Sequence, residues 1–370
     1  MPDNGRPPFR GDHVGSLLRP QNLLDARAHH KAGAISDAEL RQVEDAAIRD
    51  AVALQEEVGL QAITDGEFRR TFFHVDFLEK LDGVTVTGGI PVKFRGAAAD
   101  VDFAPPKLTV TGKLGRPSGI ETENFKFLKS LTERTPKLCI PSPTMLHFRG
   151  GRQGIDADAY PEIEGFFEDL ARVYREEIAD LADLGCTYLQ LDDTNLAYLC
   201  DPALRQGARD IGEDPDALPH TYAGLINACI AERPDDMVVC IHLCRGNFRS
   251  AWVAEGGYDP VAEVLLGEID VDGYFLEYDD ARSGGFEPLG CVSKGKTVVL
   301  GLVTTKLAAL ESKDELKRRI DEAARYVDMD DLALSPQCGF SSTVEGNAVS
   351  VEEQVAKLHL VLEVAGEVWG

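Results

Sequence analysis

Four residues of this 370-residue chain have the types and positions of a metal site. His242 and Cys244 sit in VVCIHLCRGN, Glu277 in GYFLEYDD and Cys338 in LALSPQCGF. Each lies at the tail of a short apolar run that reads as a buried strand. Along a strand, residues two apart point to the same face, which puts His242 and Cys244 side by side. Buried cysteine and a satisfied core histidine are ordinary when taken singly. Shared placement at strand ends is what joins these four. Parallel neighbouring strands would bring those ends to one mouth. Two thiolates, an imidazole and a carboxylate there form a tetrahedral S/N/O set that suits Zn²⁺. Glu277 fits this reading because a carboxylate after GYFL is costly to bury unless a metal or cation takes its charge. An open site of this kind binds an external thiol, lowers its pKa and hands it a carbon group.

A second constellation is acidic. Asp65 and Glu67 close one run (AITDGEFRR), and Asp192 and Asp193 close another (LQLDD). Such carboxylates hold an amino group or move a proton. Asp65 and Asp193 serve equally well as acceptors for helix N-terminal N–H groups. In GDHVGSLLRP, Gly15 and Ser16 offer flexible backbone and a hydroxyl that could receive a carboxylate, with Asp12 and His13 expected at the same mouth.

The elements that must position these groups alternate. Strand-like runs fall at 11–18, 61–67, 137–145, 188–193, 237–245, 273–280, 297–305 and 332–340, with amphipathic helical patterns between them. Ser36 with Glu39, and Ser312 with Glu315, read as capping boxes, and Gly185 as a helix-ending residue. Eight strands alternating with helices predict an α/β fold, a (β/α)₈ TIM barrel forming one domain over 1–370. The stretch 81–117 breaks the rhythm with alternating polar and apolar residues. It reads as a β-hairpin inserted after the second strand, over the mouth, as a lid or an oligomer contact. No G-x-G-x-x-G or Walker motif follows a strand, which weakens the open doubly wound sheet as an alternative.

Composition narrows the partners. With 63 acidic against 38 basic residues the net charge is -25, which argues against nucleic acid and against anionic membrane surfaces. No run of about 18 apolar residues offers a membrane span. No apolar segment near the start reads as a secretory signal. The eight cysteines are scattered, so a reducing cytoplasm is the expected setting.

Together GDHVGSLLRP, ITDGEFRR, QLDD, HLCRGN, FLEYDD and LSPQCGF resemble, in order, the C-terminal catalytic barrel of cobalamin-independent methionine synthase. They match its short single-barrel members best, a group that includes the epoxyalkane:coenzyme M transferases. The resemblance implies Zn²⁺ on His242, Cys244, Glu277 and Cys338. It also implies homocysteine contacts at Gly15 and Ser16 for the carboxylate, and at Glu67 and Asp192 for the ammonium. The implied activity is methyl transfer to homocysteine, giving methionine. The alternative is alkylation of another thiol, as in coenzyme M transfer, where an Arg or Lys would replace Glu67 or Asp192. A barrel with purely structural zinc would lack such substrate-facing groups.

Two departures bear on the donor. The family's separate N-terminal barrel, which helps bind folate, is not expected here. Its proton-donating His after the seventh strand is also replaced, by Thr304, Thr305 and Lys306 in VVLGLVTTKLAAL. His13 and Tyr278 are then the candidate proton relay, and Arg69 and Arg70 the candidate basic patch for a polyglutamate tail. A donor whose leaving group needs no proton, such as a sulfonium compound or a methylated corrinoid protein, is favoured over methyl-folate. A homo-oligomer is left open.

Overall fold

Short β-branched runs become strands where both faces can be buried, and most of the expected runs do so. A computed structural model describes residues 5–89, 92–96 and 100–370. Its strands are β1 (Ala62–Ile63), β2 (Asp82–Thr87), β3 (Val92–Phe94), β4 (Val101–Phe103), β5 (Lys107–Gly115) and β6 (Thr135–Pro136). They continue with β7 (Leu138–Pro141), β8 (Tyr188–Asp193), β9 (Val238–Leu243), β10 (Gly273–Glu277), β11 (Thr297–Val303) and β12 (Leu332–Pro336). The last six form one parallel sheet in the order β12-β11-β10-β9-β8-β7. Helical crossovers join successive strands, among them Ile163–Asp183 before β8, Leu218–Ile230 before β9 and Lys313–Ala323 before β12. Every residue of β8 and of β10 is buried, as a sheet covered on both faces requires.

The sheet continues past both of its edges. β6 leads directly into β7, and β1 pairs with β6 in parallel. At the opposite edge Gly11 makes a parallel bridge to Leu334 of β12. The same N-terminal segment then reaches the far end of β1, where the Leu17 N–H donates to the Gly66 carbonyl at 3.1 Å. The expected first strand, 11–18, is thus reduced to a single bridge. The reason lies in Asp12, whose carboxylate accepts the backbone N–H groups of Phe9 and His13 and removes them from any ladder.

The expected hairpin is two antiparallel ribbons in sequence: β2 with β5, and within that loop β3 with β4. Residues 90–91 and 97–99 of this stretch lie outside the described residues. The inner ribbon is fastened to the rest of the chain, since Arg95 and Trp252 exchange backbone hydrogen bonds of 2.6 and 2.9 Å.

Helix ends follow the sequence in part. Ser36 and Glu39 form the full capping box, and Gly185 follows its helix with φ 83°. Ser312 is an N-cap without a side-chain cap bond, and the Glu315 carboxylate, which would complete the box, is drawn to Arg318 at 2.7 Å. No helix of the described residues is long and apolar enough to cross a membrane.

Candidate metal centre

Parallel register sets the level of each group. His242 of β9 stands opposite Asp192 of β8 and Phe275 of β10. Cys244 follows β9, Glu277 ends β10, and Cys338 follows β12 by two residues. One ligand atom from each of His242, Cys244, Glu277 and Cys338 lies within 4.8 Å of the other three, and all four residues are buried. The two sulfurs are 3.5 Å apart and unbonded. Two thiolates on one tetrahedral zinc stand roughly 3.8 Å apart, given metal–sulfur bonds of about 2.3 Å.

The surroundings fit a cation. His242 Nδ1 lies 3.3 Å from the Phe275 carbonyl, a contact that fixes the Nδ1–H tautomer and leaves Nε2 as the ligand atom. Nε2 itself is buried with no hydrogen-bond partner among the described residues. Contact with Cys244, and with the His242 imidazole, holds the Cys338 thiol well below the usual range. Contact with Cys338, and burial, push Cys244 well above it. A divalent cation bound here would displace the protons of both thiols. Burial raises the Glu277 carboxyl against the pull of Lys306 and Arg282. Its two oxygens accept from the Arg245 N–H at 3.1 Å and from Arg282 at 3.3 Å.

A cavity of about 690 Å³, open mouth included, lies over this centre and is lined by His242, Cys244 and Cys338 together with Ser16, Glu67 and Asp192. Glu67 sits at φ 61° after Gly66, a turn that aims its side chain inward. Gly15, at φ 139°, must be glycine: a Cβ there would lie 2.7 Å from Cys139 Sγ and 2.8 Å from Glu67 Oε1. Ser16 Oγ accepts the Ser341 N–H at 3.3 Å. Burial and the neighbouring Glu67 push the Asp192 carboxyl up to about 7.

Other expected residues stand elsewhere. His13 is not in the cavity: its Nε2 bonds the Ala62 carbonyl at 3.0 Å. Asp12 is interior too, paired with Lys137 at 3.3 Å and accepting from Tyr188 at 2.8 Å. Tyr278 packs between Tyr258 and Phe286, with ring centroids 5.4 and 4.6 Å away, and also misses the cavity. Asp65 and Asp193 accept backbone N–H groups at 2.8 Å, those of Glu67 and Leu196. Thr305 is tied to Gln337, and Lys306 lies 3.5 Å from Asp279. Arg69 is taken up by Glu44 and Asp45.

Sequence reasoning misses three features. Arg70 pairs with Glu67 and lies 3.8 Å from Asp192, outside the cavity lining. The cavity wall is aromatic, built by Phe72 and Phe73, by Phe94 and Phe103 of the inner ribbon, and by Phe248. His74 and Arg149 complete it. The run FRRTFFH directly after Glu67 is the only signal for part of this wall.

The family described as "Cobalamin-independent synthase, Catalytic domain" matches residues 11–367. The Bacillus subtilis (strain 168) protein YxjH is 46% identical over 98% of the chain and 95% of its own length. The 5-methyltetrahydropteroyltriglutamate–homocysteine methyltransferase of Thermotoga petrophila is 26% identical over 91% of the chain, which spans 42% of that protein. Among solved structures, a Listeria monocytogenes protein provisionally named a vitamin-B12-independent methionine synthase superposes with TM-score 0.79 at 38% identity, covering 99% of both chains. A Shewanella B12-independent methionine synthase, solved with selenomethionine, gives TM-score 0.70 at 21% identity over 97% of both chains and shows likeness of fold.

Proposed function

Because the chain belongs to the cobalamin-independent synthase catalytic-domain family, a family of methyltransferases, we propose that it is a single-domain, cytoplasmic, zinc-dependent methyltransferase that converts a homocysteine-like thiol to its S-methyl product. In this reading the parallel strands and the N-terminal segment close into a (β/α)₈ barrel, with the 81–117 ribbons inserted over its mouth. The observation that carries the function is the convergence of His242, Cys244, Glu277 and Cys338 within 4.8 Å at the floor of a cavity. Zinc held there would keep an incoming thiol in its nucleophilic thiolate form at neutral pH.

The protein's own residues do the rest. Ser16 and the backbone at Gly15 receive the substrate carboxylate. Glu67 and Asp192 face the cavity and hold its ammonium, while Arg70 steadies Glu67 from outside. Lys306 and Arg282 offset the charge of the Glu277 carboxylate, which also accepts the Arg245 backbone N–H. The aromatic wall keeps water from the reacting sulfur. Retention of both cavity carboxylates favours an amino-acid thiol over a sulfonate such as coenzyme M.

Metal analysis tests the centre. The wild type is expected to hold one zinc per chain, and Cys244→Ser and Cys338→Ser to lose it. Full zinc in both variants would sink the assignment.

A further inference from the structure

Two polar groups of the cavity wall have buried nitrogen atoms without a partner among the described residues. His74 is 3% exposed, and its Nδ1 has no hydrogen-bond partner among the described residues. Arg149 Nη1 is likewise buried and unpartnered, and no carboxylate of the described residues lies within ion-pair distance of Arg149. Arg27, Arg69, Arg70, Arg116 and Arg282 have acidic partners, Arg19 is held by carbonyl oxygens and Arg245 lies over the Tyr258 ring, whereas Arg149 is the arginine that lines the cavity. A half-buried guanidinium left without a counter-ion in a cavity expects one from the ligand. Burial, and the charge of Arg149, hold His74 well below the usual imidazole range, so the pair offers one cation and one neutral N–H donor.

The remaining wall is an aromatic cluster. Phe103 stacks on Phe248 at 4.2 Å, Phe94 lies 5.4 Å from Phe248, and Phe72 stacks on Phe103 at 6.0 Å. Aromatic faces attract onium groups through the ring quadrupole. None of the four groups first considered as proton donors is placed to protonate a leaving group: Thr305 and Lys306 are tied elsewhere, and His13 and Tyr278 lie outside the cavity.

We propose that the methyl donor is a zwitterionic onium carboxylate, its methylated onium centre against the phenylalanine wall and its carboxylate on Arg149 and His74. This rests on the methyltransferase reading above and specifies its donor. The step balances without an added acid. The thiolate forms a new S–CH₃ bond as the onium C–S bond breaks. The electron pair of that bond stays on the departing sulfur, which leaves as a neutral thioether. The thiol proton has already gone to solvent.

A matched pair of probes tests the idea on the zinc-loaded protein: (2-carboxyethyl)dimethylsulfonium and its carboxamide. Affinity is read by calorimetry without thiol, and transfer by the mass of methylated homocysteine. The carboxylate should bind and react at least tenfold better than the amide. Arg149→Gln should erase that preference and leave homocysteine affinity unchanged. Arg149→Lys should keep part of it, and His74→Asn should fall between. Equal use of both probes by the wild type, or a preference that survives Arg149→Gln, would overturn the proposal. So would a drop in homocysteine affinity in Arg149→Gln, which would assign the cation to the thiol's own carboxylate. Turnover with methyl-folate and neither sulfonium removes the donor assignment and keeps the methyltransferase. Failure to bind homocysteine at all removes both.

Discussion

A buried imidazole beside an ammonium is stable only as the neutral base. Burial, and then Lys137, lower the pKa of His13 from 6.5 to about 4. A depressed folded pKa means that the stability is whole above pH 6.5 and is lost as pH falls from 6.5 towards 4. At about 1.4 kcal/mol per pKa unit, this one residue accounts for about 3 kcal/mol of acid sensitivity. His13→Gln keeps an N–H donor for Ala62 and removes the titration. Denaturation midpoints at pH 7 and 4.5 should therefore differ less in the variant than in the wild type; equal differences would count against the burial argument. Single residues also mark the limit of what the sequence tells. The grouping of His242, Cys244, Glu277 and Cys338 is legible because strand period and strand ends are local patterns. The destinations of His13 and Tyr278 are not, because each stands next to a site motif yet is turned into the interior, His13 by the Ala62 carbonyl and Tyr278 by packing on Tyr258 and Phe286. His74 and Arg149 meet only where two loops close over the same cavity.

At the scale of elements, two sequences with the same capping signature behave differently. Ser36 has both halves of its box, whereas Glu315 is taken by Arg318 and leaves Ser312 without one. Loss of a working N-cap typically costs about 1 kcal/mol. Ser36→Ala is expected to lower stability by that order and Ser312→Ala by only a few tenths, with chemical denaturation of the two variants as the measurement. Comparable losses would mean that Ser312 caps its helix in solution. The starts of the strands from β8 onward are readable to within a residue, since both of their faces are apolar, whereas β10 and β12 stop at Glu277 and Pro336, short of the expected ends at 280 and 340. The first strand is not, since Asp12 diverts its N–H groups. The inserted stretch is readable as antiparallel but not as two ribbons, because the Arg95 to Trp252 pairing that anchors the inner one is made with a segment far away in sequence.

For the whole molecule, the decisive contact joins distant ends of the sequence. Gly11 bridges Leu334, and the Arg10 side chain donates to the Leu332 carbonyl across 322 positions. A chain stopped at residue 331 would retain His242, Cys244 and Glu277, lose Cys338, leave β11 as an edge strand paired only with β10, and take from the N-terminal segment the strand that Gly11 bridges. Such a truncation is expected to hold no stoichiometric metal and to exchange the amide protons of β11 rapidly, as read by metal analysis and hydrogen exchange. Protection equal to the full chain would show that the remaining strands stand alone. Contacts of such long sequence separation slow folding, since the intervening chain must be ordered before they reward it. On the ribosome, three of the four ligands emerge while the fourth is still being translated, and the segment that waits for β12 is among the first made. The nascent protein thus carries an unfinished, thiol-bearing seam, and a cation can be locked in only once β12 and Cys338 have emerged and met the segment at Gly11.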